Sequence, residues 1–561
     1  MSLFTKKPLE ELLAEANATG NKTLKRVLGP WSLIALGVGV IIGAGLFSIT
    51  GTVAASYTGP AITISFAIAA LGCCFAGLCY AEFASMIPVA GSAYTYSYAT
   101  MGELIAWIIG WDLVLEYTVA ATTVSISWSR YLVVFLQGLG IELPHALTAC
   151  PWDGGIVNIP AALIVVVMSL FLIRGTQGSS LLNGFIVFLK VSVILIFIIL
   201  GWRYIRTDNY IPYIPANTGT LGEFGFSGIL RGAAIVFFAF LGFDAVSTAA
   251  QETKNPRRNM PIGILMSLLV CTVLYMLFAH VMTGVAHYTH FSGQQGIAPV
   301  AIAIEQMGQP NAEGLIHPDY PWLNRAIVLA ILFGYCSVIM VTLLGQSRVF
   351  LSMSHDGLLP PFFSHIHEKF RTPARSNALF MVIVGILAAI VPARVAGEMT
   401  SIGTLMAFTL VCAAVLVVRR TMPNAPRAFK TPFVPLVPIL GILTCLCMML
   451  FLPADTWIRL VLWMLIGLDI YIAYGMKHSK LESGGNLRKG QTALHFTGLC
   501  LSILCVITGL WHQQTVGWEE DKTLLVLSFL FAFGHTAFYL WRISKQQRSP
   551  QSAEWRSADA D

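Results

Sequence analysis

GVGVIIGAGLF, residues Gly37–Phe47, places four glycines in the middle of a long apolar run. Glycine inside a helix costs about 1 kcal/mol relative to alanine, so such a cluster needs a structural reason. A later apolar run contains FFAFLGFDA, residues Phe237–Ala245, in which Gly242 stands close to the acidic Asp244. Each stretch alone is compatible with helices that pack closely through small residues. Together they predict two helices that are interrupted within a membrane.

The composition places both stretches in a membrane protein. Hydrophobic residues make up 56% of the 561 positions and charged residues only 11%, whereas a soluble domain has roughly 25% charged residues. Apolar runs near the length of about 20 residues that spans a bilayer recur along the chain, about fourteen in number. Backbone groups find no partner in hydrocarbon, so each run should be helical. The predicted fold class is an all-α polytopic membrane protein.

Basic residues predict the orientation of the chain, because lysine and arginine are concentrated in cytoplasmic loops. One alternate set of loops contains, among others, Lys25, Arg257, Arg371, Arg420 and Lys489. This set, together with both termini, is predicted to lie in the cytoplasm, which requires an even number of spans. The net charge of +6 therefore reflects orientation, and we expect no nucleic-acid partner. The predicted location is the cytoplasmic (inner) membrane of the cell.

The predicted organisation has five parts. Residues 1–30 form a cytoplasmic N-terminal segment, and residues 31–476 form a core of twelve helices. Residues 477–492 form a cytoplasmic linker, residues 493–541 form two additional transmembrane helices, and residues 542–561 form a cytoplasmic tail. The last two helices carry no motif that indicates a function.

The two interrupted segments are the first and the sixth of the chain, so each begins a set of five helices. Transporters with two inverted repeats keep their discontinuous helices at corresponding positions of the two halves. Unwound backbone there presents N–H groups, which attract a carboxylate, and carbonyl oxygens, which accept hydrogen bonds from an ammonium group. An amino acid zwitterion fits such a site.

The same residues carry a resemblance to a known family. GVIIGAGLF (Gly39–Phe47) resembles the first-helix motif of the amino acid–polyamine–organocation superfamily. A second stretch resembles the sixth-helix signature of the cationic amino acid transporter branch of this superfamily: FFAFLGFDAVSTAAQETKNPRRNMPIGI (Phe237–Ile264). A third stretch, PVAGSAYTYSY (Pro88–Tyr98), is also similar to that branch. The resemblance extends roughly from Leu24 to Met476. It implies a LeuT-type fold of two inverted five-helix repeats, and secondary active transport of amino acids by alternating access.

The resemblance also implies a substrate pocket at the two interruptions. The backbone amides of Ala44 and Gly45 would hold the substrate carboxylate. Relatives often have threonine or serine in place of Ala44, so a hydroxyl contact is lost here, but the amide is not. The α-ammonium group of the substrate would donate to the carbonyl oxygens of Ile41, Phe238, Ala239 and Leu241.

Glu116 lies inside the third apolar segment, where a charge costs at least about 2.5–3.5 kcal/mol. The corresponding glutamate of the family borders the binding cavity, and it would favour a cationic substrate. Small neutral amino acids are the alternative substrates, and a carboxyl group that only packs between helices is the alternative role. Val338 or Met340 of the eighth segment is expected to limit the space for the substrate side chain.

Lys190 lies inside the fifth apolar segment. Its alternative role is to extend its ammonium group along the helix to the membrane surface. Family members without sodium dependence resemble this chain in having lysine at that position, where the ammonium group replaces a sodium ion. Because burial disfavours the charged form of lysine, Lys190 would couple transport to protons.

An amino acid-sensing receptor on a transporter fold is the alternative function. No catalytic motif or metal-ligand pattern is found in the sequence, so we expect neither an enzyme nor a cofactor or metal ion. The expected partners are an amino acid, a proton and membrane lipids, and a small accessory membrane subunit is compatible with this class.

Overall fold

The computed structural model describes the chain as a set of helices. One isolated parallel bridge joins Leu28 to Thr253, and the described residues form no β-strand. The described residues are 5–8, 28–87, 92–175, 180–244, 246–247, 250, 253–292, 298–309, 317–370, 372–480, 487–515 and 522–547.

Within the described residues, eight helical stretches are long and apolar enough to span a membrane, and four shorter apolar helices accompany them. The stretch Pro30–Met86 contains two of the predicted segments, and a final helix, Lys522–Gln547, follows the last of the eight. The prediction of an all-α polytopic membrane protein with about fourteen segments is therefore confirmed.

The helices are numbered here in chain order. The first segment consists of α1 (Pro30–Ile41), a π-helical turn (Gly45–Ile49), α2 (Thr50–Val53) and a second π-helical turn (Ala54–Thr58). The sixth segment begins with α8 (Gly225–Val236) and a 3₁₀ turn (Phe237–Phe240). The remaining helices are α3 (Ile62–Met86), α4 (Ser92–Thr100), α5 (Glu103–Gln137), α6 (Ile159–Arg174), α7 (Ser180–Gly201), α9 (Pro256–Val285), α10 (Pro299–Glu305), α11 (Pro321–His355), α12 (Ala374–Ile390), α13 (Ala393–Thr421), α14 (Leu436–Leu450), α15 (Ala454–Ile470), α16 (Met476–His478), α17 (Leu487–Thr515) and α18 (Lys522–Gln547).

Proline begins several of these helices. Pro30, Pro256 and Pro321 are the first residues of α1, α9 and α11. The first N–H groups of a helix have no intrahelical partner, so proline at this position loses no hydrogen bond, and its fixed φ suits the first turn. The sequence therefore sets where these helices start.

The long helices pack around the first segment. Helix α11 packs along α5, α5 also contacts α13, and α9 packs against α1 and α3. Helices α17 and α18 pack on each other, and α17 packs against α15. The last two helices therefore lie beside α15, at the edge of the bundle that surrounds the two interruptions.

The predicted boundaries of the linker and of the C-terminal tail differ from the helix ends in the structure. Helix α16 ends at His478 and α17 begins at Leu487, so residues at both ends of the predicted linker 477–492 are helical. Helix α18 continues to Gln547, which extends it into the predicted tail 542–561. Residues 1–4, 9–27, 481–486 and 548–561 of the predicted N-terminal segment, linker and tail lie outside the described residues, as do residues 516–521 of the predicted pair of additional helices.

Candidate functional site

The first segment is interrupted where the sequence analysis predicts it. Helix α1 ends at Ile41, and Ile42 is extended, with φ −71° and ψ 106°. Helical structure resumes as a π-helical turn at Gly45. Because the first N–H groups of a helical turn have no partner within it, the amides of Ala44 and Gly45 lie where an anion can accept from them.

The sixth segment is interrupted in a similar way. The 3₁₀ turn Phe237–Phe240 is followed by Leu241 in an extended conformation, with φ −55° and ψ 141°. Gly242 then has φ +103°, a region that residues with a side chain rarely adopt. A Cβ atom at Gly242 would also meet the side chain of Val40. Glycine is therefore required at this position by both conformation and space.

The two interruptions touch each other. A Cβ atom at Gly45 would lie 2.6 Å from the Cβ atom of Ala239 and 2.7 Å from its backbone nitrogen. The hydroxyl oxygen of Tyr275, on α9, lies 2.9 Å from the carbonyl oxygen of Ile41 and 2.9 Å from that of Ala239. Tyr275 therefore joins the carbonyl groups that the two interruptions expose.

A cavity of about 40 Å³ lies at this meeting point. Of the seven predicted substrate-binding residues, six line it, and Ala239 is the one that does not. The carbonyl oxygen of Phe238 already accepts from the N–H of Leu241 at 3.2 Å, which leaves it one lone pair for a substrate. The six predicted residues on the cavity wall are Ile41, Ala44, Gly45, Glu116, Phe238 and Leu241.

The two interrupted segments also contribute Val40, Gly43 and Gly242 to the wall, and the remaining residues come from α5 and α11 and are mostly apolar. Val338 lines the cavity and would lie 3.3 Å from a Cβ atom at Gly43, whereas Met340 is not among the lining residues. Of the two residues proposed from the sequence to limit side-chain space, Val338 therefore has the right position. The other lining residues of α5 and α11 are Tyr117, Ala120, Val124, Val341 and Thr342.

Glu116 is 2% exposed and lies on this wall. Its carboxyl group is beside the hydroxyl of Thr404, with the carboxyl groups of Asp112 and Asp244 nearby. Both carboxyl oxygens of Asp112 are buried and have no hydrogen-bond partner among the described residues. Tyr117 donates to Asp244 at 3.4 Å. Of these three carboxyl groups, Glu116 is the one that lines the cavity and that a substrate can contact.

Lys190 does not extend to the membrane surface. It is 1% exposed, and its Nζ donates to the carbonyl oxygens of Gly39 at 2.8 Å and Ile42 at 3.0 Å. A Cβ atom at Gly334, on α11, would lie 2.9 Å from Cε of Lys190. The side chain therefore connects the fifth segment with the interruption of the first and packs against the eighth.

Tyr275 is one of the site residues that were not predicted from the sequence. It lies in LVCTVLYMLFAH (Leu269–His280), an apolar run in which its hydroxyl is one of few polar groups. A buried tyrosine hydroxyl usually has a hydrogen-bond partner, so its position was a usable signal. The lining residues Val341 and Thr342 give no such signal, because apolar residues surround them on every face of α11.

Comparison with known proteins identifies the family. The amino acid permease family matches residues 28–468. The chain is 45% identical over 485 residues to the branched-chain amino acid permease BcaP of Bacillus subtilis, which covers 86% of this chain and 99% of that protein. It is 42% identical over 483 residues to the methylthioribose transporter of the same organism, with coverage of 86% and 99%.

A plant protein is also similar. The vacuolar cationic amino acid transporter 4 of Arabidopsis thaliana is 30% identical over 588 aligned positions, covering 83% of this chain and 94% of that protein. The family match includes both interruptions, Glu116 and Lys190, and ends before α17 and α18. The chain belongs to the amino acid permease family, and it is a multi-pass membrane protein of amino acid transport rather than an enzyme.

Proposed function

We propose that this chain carries small neutral amino acids across the cytoplasmic membrane by alternating access, with a proton as the coupling ion. The observation that carries the proposal is the position of Lys190. Its ammonium group donates to two carbonyl oxygens of the interrupted first segment, directly behind the cavity. No other buried cation of the described residues contacts this interruption.

The backbone of the cavity suits a zwitterion. The amides of Ala44 and Gly45 would donate to the carboxylate, and the carbonyl oxygens of Ile41, Phe238 and Leu241 would accept from the ammonium group. A carboxylate at the start of a helical turn is further stabilised by the partial positive charge there. The recognition of the amino acid backbone would therefore not depend on the substrate side chain.

The size of the cavity favours a small side chain. One water needs about 10–15 Å³ of such a cavity, so 40 Å³ holds only about three non-hydrogen atoms, and the cavity would have to widen even for alanine. Val124, Val338 and Val341 border the space beyond the interruptions, and they would exclude a long cationic chain in this conformation. The relatives include proteins named for branched-chain and for cationic amino acids, so we expect the width of this space to differ within the family.

Proton coupling would follow from the two states of Lys190. The charged ammonium group holds α7 against the first segment through charge-assisted hydrogen bonds, worth about 1.5–3 kcal/mol. Loss of one proton would leave a neutral amine, whose N–H groups donate more weakly, and this would reduce the stabilisation and loosen the contact. A free-energy change of this size shifts the ratio of two conformations about tenfold or more, which is sufficient to link protonation to the direction in which the cavity opens.

A polar cluster at one end of the core supports alternating access. Nζ of Lys7 lies 3.1 Å from Asp356, and Tyr94 donates to the same carboxylate at 2.8 Å. On the predicted orientation, with both termini cytoplasmic, this cluster closes the cytoplasmic end. It joins the N-terminal segment, α4 and the end of α11, and it would have to rearrange for that side to open.

The test is uptake of radiolabelled alanine by liposomes that contain the purified protein. A pH gradient, acidic outside, should drive accumulation, and a protonophore should abolish it. An inward sodium gradient without a pH gradient should have no effect. Accumulation driven by sodium would contradict the coupling proposal, and binding without any uptake would support the receptor alternative. Methylthioribose, offered as a competitor, tests the substrate that one relative's name suggests.

A further inference from the structure

A second cavity lies far from the interruptions, where the last two helices meet α15 and α16. Its volume is about 710 Å³, many times that of the substrate cavity. Nothing in the proposed transport cycle uses it. The lining residues are Asp469, Ile472, Ala473, Lys477, His495, Leu530, Phe531, Gly534, His535, Phe538 and Arg542.

The wall of this cavity divides into an apolar part and a basic part. Ile472, Leu530, Phe531 and Phe538 provide hydrocarbon surface. Lys477 and Arg542 also line the cavity, and both side chains are exposed. Neither forms an ion pair with a carboxylate of the described residues. The cavity therefore presents two positive charges to a ligand, next to an apolar surface.

The acidic residue in the wall does not cancel those charges by direct contact, because its oxygens are already engaged. Asp469 accepts from Tyr539 at 2.6 Å, and Nε2 of His535 lies 2.7 Å from its other oxygen. These contacts also join α15 to α18. His495 is 3% exposed, and its Nδ1 has no hydrogen-bond partner among the described residues. A ligand with an acceptor oxygen would satisfy that nitrogen if the nitrogen carries the proton.

The position along the helices is that of a membrane interface. Lys477 lies in α16, at the end of the twelfth segment, and Arg542 lies in the last turns of α18. The guanidinium group of Arg542 is 5.4 Å from the ring of Phe538 and 5.9 Å from that of Trp541. Aromatic and basic residues are typical of the level of lipid head groups. On the predicted orientation this is the cytoplasmic interface.

We propose that this cavity binds an anionic phospholipid. Its phosphodiester would lie between Lys477 and Arg542, and an acyl chain would follow the apolar wall toward Leu530. Basic pockets between transmembrane helices on the cytoplasmic side are known to bind acidic head groups. A zwitterionic lipid carries its own ammonium group, which would face the two basic residues and reduce the attraction. The site does not depend on the transport proposal.

The experiment uses the full-length protein in detergent. It is titrated with phosphatidylglycerol or with phosphatidylcholine that has the same short acyl chains, and native mass spectrometry measures the bound lipid. One basic residue near the surface contributes about fivefold to the affinity for acidic lipid. Phosphatidylglycerol should therefore bind at least about tenfold more tightly than phosphatidylcholine. Lys477→Gln and Arg542→Gln should each reduce the preference about fivefold. Arg420→Gln, an exposed residue at the end of α13, is the matched control and should not reduce it.

The source of the anionic group is tested in parallel with glycerol phosphate and inorganic phosphate. Neither compound should bind, or compete with the lipid, at the concentrations at which the lipid saturates the cavity. Neither has an acyl chain that could contact the apolar part of the wall. Equal binding of the two lipids would overturn the proposal. So would an undiminished preference in the Lys477→Gln, Arg542→Gln double variant, or complete competition by free phosphate.

Discussion

Nζ of Lys190 lies 3.0 Å from the carbonyl oxygen of Ile42, the residue at which α1 loses its helical geometry. In a continuous helix the carbonyl oxygen of Gly39, the second acceptor of Lys190, would receive the N–H of Gly43. The ammonium group therefore replaces helical donors that the interruption removes. A side chain from another helix thus stabilises the unwound backbone, and the positive charge of an ammonium group strengthens such hydrogen bonds.

Lys190→Ala should abolish accumulation of alanine under a pH gradient, because the proton-dependent contact with the first segment is lost. Substrate binding should remain measurable, since Lys190 does not line the cavity. Liposome uptake and isothermal titration on the same preparation separate the two effects. Lys254→Ala, which removes an exposed lysine, is the control. Proton-driven uptake that survives in Lys190→Ala would contradict this role.

Gly45→Ala should weaken alanine binding about fivefold or more, because its Cβ atom would overlap the backbone of Ala239 and overpacking costs about 1–3 kcal/mol. Gly43→Ala should have a smaller effect, since its Cβ atom would meet only the side chain of Val338, at 3.3 Å. Substrate-induced thermal stabilisation measures both variants. Gly385→Ala has open space around it and serves as the control. Normal stabilisation of Gly45→Ala would place the carboxylate elsewhere.

Glu116→Gln should weaken the binding of cationic amino acids more than that of alanine. A charge-assisted contact contributes about 1.5–3 kcal/mol, so a cation in contact with Glu116 should lose about tenfold or more, and alanine should lose little. Competition of arginine and alanine against labelled alanine measures the ratio. Glu305→Gln changes an exposed carboxylate and is the control. Equal losses for both ligands would favour a packing role for Glu116.

Val338→Ala should widen the substrate cavity and move selectivity toward larger neutral side chains. A change of one or two methyl groups in an apolar pocket is worth about 1–3 kcal/mol, so the leucine-to-alanine affinity ratio should rise about tenfold. Met340→Ala, two residues along the same helix and absent from the cavity wall, should leave the ratio unchanged. A larger effect at Met340 than at Val338 would show that the binding conformation has a different wall.

The sequence predicted the position of the candidate site where a residue type is unfavourable in its apolar surroundings. Glycines inside an apolar run, a lysine in the fifth segment and a glutamate in the third are all unfavourable in hydrocarbon, and each lies at or beside the cavity. Val341 and Thr342 could not be predicted, because a helix that is apolar on all faces does not reveal which face points inward. That face is decided by packing against α5, which a single sequence does not specify.

The hydroxyl group of Tyr275 has one proton, yet two carbonyl oxygens, one from each interruption, lie 2.9 Å away. It can turn to either oxygen by rotation about the bond between the ring and the hydroxyl oxygen. On the proposed binding mode, when the hydroxyl turns to Ala239 the carbonyl oxygen of Ile41, which lines the cavity, is free to receive the ammonium group of a bound amino acid. A substrate that engages Ile41 would bias the hydroxyl toward Ala239. Rotation of this one hydroxyl group would thereby couple occupancy of one half of the transporter to the backbone of the other half.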